Sequence, residues 1–161
     1  MQEIFNGSKK TTDGGTTWTN VTIPTYVNQT TCGATTTHFT RGQAWYDLIL
    51  AVNPTDPNHV IAGGIDLHRT TNGGTSWQPI SYWTGNCYPY VHADIHAIAY
   101  KPTSSTDIIV GHDGGISWSG NITAANPSFS NKSENYNVTQ FYSVAIAPNA
   151  STQYFLGGCP R

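Results

Sequence analysis

The chain is poor in charge of either sign. Lys and Arg number 7 and Asp and Glu 9 in 161 residues, for a formal net charge of −2. No basic stripe is available to neutralise phosphates, which argues against nucleic acid as a partner. Long apolar runs are also missing. None approaches the roughly 18 to 20 residues of a membrane span, so no span is expected. Met1 to Phe5 lacks the basic segment followed by an apolar one that marks an export signal. Cysteine is scarce: Cys32, Cys87 and Cys159 are an odd count without CxxC spacing. That pattern disfavours a zinc site and fits one disulfide plus a leftover thiol.

What fills the chain instead is Thr, Ser, Asn and Gly. Sequons occur at Asn6, Asn20, Asn28, Asn121, Asn131 and Asn137, a pattern compatible with secretion. Runs rich in β-branched and aromatic residues recur at 46–52, 59–62, 95–100, 107–110, 140–146 and 153–156, separated by Pro, Gly and Asn. No helical periodicity intervenes. The spacing therefore predicts an all-β chain.

These runs repeat. Pro54, Pro102 and Pro148 fall in register, as do Gly63, Gly111 and Gly157, with both sets offset by 48 and then 46 residues. A strand, a Pro-containing turn and a second strand closing on Gly, at this period, is what a four-stranded β-propeller blade produces. The expected organisation is one partial propeller over 1–161. It comprises an outer half-blade at 1–23, full blades at 46–81 and 95–135, and an inner half-blade at 140–158. About three blades' worth of strands cannot close a ring of typically four to eight. The expectation is a piece of a longer propeller, partnered by the remaining blades of its parent chain; an assembly of several copies is the other route.

Two octets sit at the same place in their blades. Thr11, Asp13, Gly15, Thr17 and Trp18 recur as Thr70, Asn72, Gly74, Ser76 and Trp77. The Asp or Asn can accept from the turn's own amides, the glycines permit positive φ and the Trp packs back on the sheet. The octets resemble the Asp-box of BNR-type propellers, where these residues brace a turn. The string from His112 to Trp118 looks similar, yet the repeat places it between second and third strands, so a different turn is expected there. The counterpart hairpin would fall near 121–128.

The stretches AWYDLILAVNPTDPNHVIAGG, YVHADIHAIAYKP, VGHDGGI and NVTQFYSVAIAP together resemble secreted bacterial propellers related to the sortilin domain and to family 74 glycoside hydrolases, the xyloglucanases. Sortilin-type propellers bind peptides, family 74 enzymes cleave glucans and bacterial sialidases use the same boxes for other chemistry. The resemblance implies a secreted or cell-surface binding or scaffold module recognising a glycan or a protein or peptide. The alternative is a carbohydrate-active enzyme, xyloglucanase-like or sialidase-like. Xyloglucanases build their cleft from two propellers, so this segment alone is not expected to be active.

Blade topology puts the octets at one end and the loops 24–43, 82–91 and 112–115 at the other, where propeller sites open. Residues 92, 94 and 96 would share one side of an extended strand, and antiparallel pairing would bring His96 opposite His112 or Asp113. Three roles compete for this cluster. One is a hydrogen-bonded brace. Another is a divalent metal site of His92, Asp94, His96 and His112, with no other cofactor expected. The third is catalysis by Asp47, Asp94 or Asp113, the acids at this end. Tyr82, Trp83, Tyr88 and Tyr90, with His92, are candidate platforms for sugar rings or peptide side chains; packing between blades competes with that role. Trp45 and Tyr46, opening an inner strand, are expected in the core. Cys32 and Cys87 lie on successive connections at the same end, which is compatible with a disulfide tying those two loops, although spacing alone does not fix the pairing.

Overall fold

The structure is a computed structural model, and it describes residues 7–135 together with the strands Ser143–Ile146 and Phe155–Gly158. The Asn6 and Asn137 sequons, Cys159 and parts of the runs expected at 140–146 and 153–156 lie outside the described residues. Among the described residues every regular element is a strand and every pairing is antiparallel. β1 (Ser8–Lys10) pairs with β2 (Thr19–Val21), and β3 (Thr25–Val27) with β4 (Ala34–His38). Next comes a four-stranded meander of β5 (Ile49–Val52), β6 (Val60–Gly63), β7 (Leu67–Thr70) and β8 (Gln78–Pro79). A second contains β9 (Ile95–Tyr100), β10 (Ile108–His112), β11 (Gly115–Ser119) and β12 (Ser130–Asn131). β13 (Ser143–Ile146) and β14 (Phe155–Gly158) form a last hairpin.

Alternation explains why these segments are strands. In β10, Ile108, Val110 and His112 point inward while Ile109 faces out. β7 is buried at all four positions. The main core lies between the two four-stranded sheets and joins Ile61, Leu67 and Ile80 to Val91, Ile95, Ile108, Val110 and Ile122. Each such side chain contributes about 1.5–3 kcal/mol by leaving water. Gly63 lets the sheets approach: a Cβ there would sit 2.7 Å from methyl groups of both Ile49 and Ile95.

One polar side chain also bridges the sheets. Arg69, buried on β7, donates from Nη1 to the carbonyls of Ile122 and Ala124, each at 2.6 Å, and from Nη2 to that of Ala125 at 3.2 Å. The turn it grips connects β11 to β12, within the stretch where the counterpart hairpin was sought. Asn121 Oδ1 closes that turn by accepting from the Ser128 amide at 2.9 Å.

Three expectations fail here. The run from Tyr46 becomes strand only at Ile49, because Arg41 and Gly42 take positive φ and the chain makes a helical-type turn, with the Tyr46 amide donating to Gln43 O at 2.8 Å. Trp45 and Tyr46 ride on that turn, 68% and 45% exposed, and are not core. The connection at 24–43, expected as a loop, carries the β3–β4 hairpin. Tyr26 and Val27 from it form a second buried cluster with Ile65 and Tyr82. A disulfide joins Cys32 to Cys87 across a separation of 55 residues, tying the hairpin to the loop after β8.

Candidate functional site

The two octets close the turns β1–β2 and β7–β8 with nearly the same bonds. Thr11 Oγ1 donates to Asp13 Oδ1 at 2.9 Å and accepts from the Gly15 amide at 2.8 Å. Asp13 accepts from the Thr17 amide at 2.9 Å and the Thr17 hydroxyl at 2.6 Å. These bonds, Thr17's first, hold the Asp13 carboxyl down at about 2. In the second turn Thr70, Asn72, Gly74 and Ser76 repeat the pattern at 2.8–3.0 Å. Every Asp13 or Asn72 acceptor bond is spent inside its own turn. These residues brace hairpins.

The opposite end of the sheets, where β10 turns into β11 through Asp113 and Gly114, holds the titratable residues. His112 pairs with Gly115 across that two-residue turn, so the Asp-Gly-Gly string there is a different turn from the octets, as the repeat requires. A register shift between Gly111 and His112 sets His112 opposite Ile95. His96 then reaches Asp113, with Nε2 to Oδ1 at 2.7 Å. Since a carboxylate only accepts, Nε2 carries the proton. The Tyr46 hydroxyl donates to both Asp113 oxygens at 3.0 Å, and its ring meets His96 edge-on at 4.8 Å between centroids. Trp45 packs beside Tyr46 at 5.5 Å. The result is a half-exposed patch of two aromatic rings, an imidazole and a carboxylate.

A second group lies deeper. Gln43 Nε2 donates to Asp47 Oδ2 at 3.0 Å and to Asp94 Oδ1 at 2.7 Å, holding two carboxylates together. Asp47 has no accessible surface, and burial first, with the Asp94 charge adding, raises its pKa to about 6. Asp66, also buried, accepts the Trp83 amide at 2.7 Å and is pushed by burial up to about 7. The three catalytic candidates thus divide: Asp47 and Asp94 share Gln43, while Asp113 belongs to the exposed patch.

The remaining candidates separate too. Residues 92–94 are not strand; Asp94 adopts φ of 65°, and its amide donates to Ile65 O at 3.2 Å, so 92, 94 and 96 do not share one extended face. His92 and His112 stack in parallel at 5.7 Å, and His112 Nε2 meets Ser117 Oγ at 2.9 Å. Burial and the neighbouring His92 depress the His112 pKa. Among the described residues no three His, Cys, Asp or Glu side chains gather as metal ligands. Of the four residues expected as ligands, Asp94 is held by Gln43, His96 by Asp113 and His112 by Ser117, and His92 Nδ1 lies 3.1 Å from Ala93 O.

Tyr82 is completely buried, with its hydroxyl 3.3 Å from that of Tyr26, and offers no ring face to a ligand. Tyr88 packs against the same cluster. Trp83 and Tyr90 remain exposed. Gln43 and Asp66 were not foreseen. The one signal for Asp66 is that it, like Asp113, is an acid in a turn joining second and third strands.

No helix among the described residues is long and apolar enough to cross a membrane. Compared with protein-family models, curated proteins and solved structures, the chain matches none of them significantly.

Proposed function

We propose that the chain is a segment of an Asp-box β-propeller that acts as a secreted binding module for a neutral glycan. The observation that carries this is the exposed patch of Trp45, Tyr46, His96 and Asp113, at the end of the sheets away from the braced octet turns. Flat aromatic faces suit the C–H face of a sugar ring, and a flanking carboxylate and imidazole suit its hydroxyls. Four further observations support it: the two four-stranded meanders, the repeated octet geometry, the near-zero net charge and the Cys32–Cys87 disulfide, a bond favoured in oxidising compartments.

The test is calorimetric titration with a panel of neutral polysaccharides, xyloglucan included, and with peptides as comparison. Trp45→Ala should weaken glycan binding by about tenfold or more, equivalent to about 1.4 kcal/mol. It should leave thermal unfolding unchanged, because Trp45 buries little. Absence of binding across the glycan panel, or binding indifferent to Trp45, refutes the proposal.

Hydrolysis is the second reading, favoured by the Gln43-bridged pair with one member near pKa 6. Asp47 is sealed from any glycosidic oxygen, which counts against it. Reducing-sugar release abolished by Asp94→Asn would reinstate it.

A further inference from the structure

The aromatic half of the patch and its polar half come from different parts of the chain. Trp45 and Tyr46 ride on the turn at 40–47, and that turn winds around Gln43. Gln43 O accepts from the Tyr46 amide at 2.8 Å and from the Asp47 amide at 3.2 Å, while the Gln43 amide donates to Thr40 O at 2.9 Å. His96 stands on β9, two residues after Asp94, and bonds Asp113. The Gln43 side chain spans the two halves. Its Nε2 carries two protons; one goes to Asp47 within the turn, the other to Asp94, 51 residues away at the entry to β9.

The turn needs such a fastener. Asp47 Oδ1 is buried with no protein partner, which favours opening of the turn toward water. The Tyr46 bonds to Asp113 cross the same gap, but they are exposed, where water competes for both partners. The Gln43 bonds are half-buried and accepted by acids, and bonds of that kind are roughly twice as strong as neutral ones.

We propose that Gln43 is the positioning residue of the patch: its side-chain amide fastens the Trp45–Tyr46 turn to Asp94 and so presents both rings beside His96 and Asp113, without itself touching the glycan. The role in binding rests on reading the patch as a glycan site. Position 43 faces Asp47 and Asp94, and beyond them Asp66, on which the Asp94 charge acts. Glu at 43 would repel these acids until a proton is taken up, whereas Met would donate nothing at any pH.

That contrast supplies the experiment: calorimetric titration of a neutral glycan at about pH 5 and about pH 8, each variant compared with wild type at the same pH so that titration of His96 and Asp113 cancels. Gln43→Met should bind about tenfold more weakly at both pH values, the loss for a turn that holds the binding geometry about a tenth of the time. Gln43→Glu should match that loss at about pH 8 and recover most of the affinity at about pH 5. Asn72→Ala, which removes the acceptor bracing the octet turn at the far end, should lower the thermal midpoint and leave affinity unchanged. Wild-type affinity in Gln43→Met, equal losses in the Met and Glu variants at both pH values, or weakened binding in Asn72→Ala overturns the assignment. Absence of glycan binding by wild type refutes the glycan reading alone. The His96 ring-proton resonances, which the Tyr46 ring 4.8 Å away displaces, then decide the role of Gln43 without a ligand: a shift in Gln43→Met upholds it and an unchanged spectrum overturns it.

Discussion

Replacing Arg69 with Met tests whether a single side chain couples the two four-stranded sheets. Met preserves the aliphatic stem that packs in the core and removes three charge-assisted donors. The carbonyl of Ile122, a residue with no accessible surface, is left without a partner and costs about 1–3 kcal/mol. Ala124 is half-buried and Ala125 exposed, so water can replace the guanidinium there, and each lost bond costs nearer 1 kcal/mol. The sum is about 3–5 kcal/mol, in the range for breaking a buried charged network. With a urea m-value near 2 kcal/mol/M, the unfolding midpoint should fall by about 2 M. Arg69→Lys, which keeps the charge but cannot fork to three carbonyls, should fall by roughly half as much. Urea titration followed by tryptophan fluorescence and by far-ultraviolet dichroism measures both. A shift below about 0.5 M for Arg69→Met would show that the sheets are held by apolar packing alone and refute the clamp.

Acid–base linkage makes a second prediction at Asp66. Its folded pKa of about 7 lies above the ordinary 3.8 because of burial. The folded state therefore holds a proton that the unfolded state has lost, and that stabilisation, full below the unfolded pKa, disappears as pH rises to about 7. Asp66→Asn should gain stability relative to wild type across this window, on the order of a few kcal/mol. His68, depressed by burial to about 4, acts oppositely as pH rises toward its ordinary 6.5, so the difference between variant and wild type is the quantity to follow. A flat difference from about pH 4 to about pH 8 refutes the assignment. Removing the disulfide with Cys32→Ser and Cys87→Ser releases a loop spanning 55 residues and should cost about 4 kcal/mol in the chain-entropy account. A thermal scan showing an unchanged midpoint would contradict that cost.

The β-sheets were legible because their causes are local: period-two alternation, Pro in the turn between first and second strands, and Gly where sheets approach. The octet turns were legible because their hydrogen bonds run between residues two to four apart in sequence. What escaped depends on distance. The β3–β4 hairpin is Thr-rich and polar, and only Tyr26 and Val27 from it enter a core made by Ile65 and Tyr82 far along the chain. Tyr46 sits in an apolar run that reads as continuous strand, and the turn diverting it originates at Arg41 and Gly42. The nearness of His96 to Asp113 was expected from pairing, but the register shift that sets His112 opposite Ile95 and leaves His96 to reach Asp113 through its side chain was not. Its Tyr46 donor, 67 residues from Asp113, did not. Gln43 bridges two acids from elements that meet only after packing, and no local pattern marks it.

The two tryptophans of the octets end their bonds in different places. Trp18 Nε1 donates to Gly15 O within its own turn, whereas Trp77 Nε1 donates to Thr22 O of the preceding hairpin at 2.9 Å. The Thr22 amide and hydroxyl answer by donating to Gly74 O. This joint is thus directional, the β7–β8 turn latching onto the hairpin before it. A gene duplication that copied a unit cut at the boundary between sheets would carry the latch but sever it from its catch. A cut within a sheet, between second and third strands, also parts Thr22 from Trp77, so a unit of either kind finds its catch only in the copy placed before it, and an array of such units holds together by neighbours rather than by anything a single unit contains.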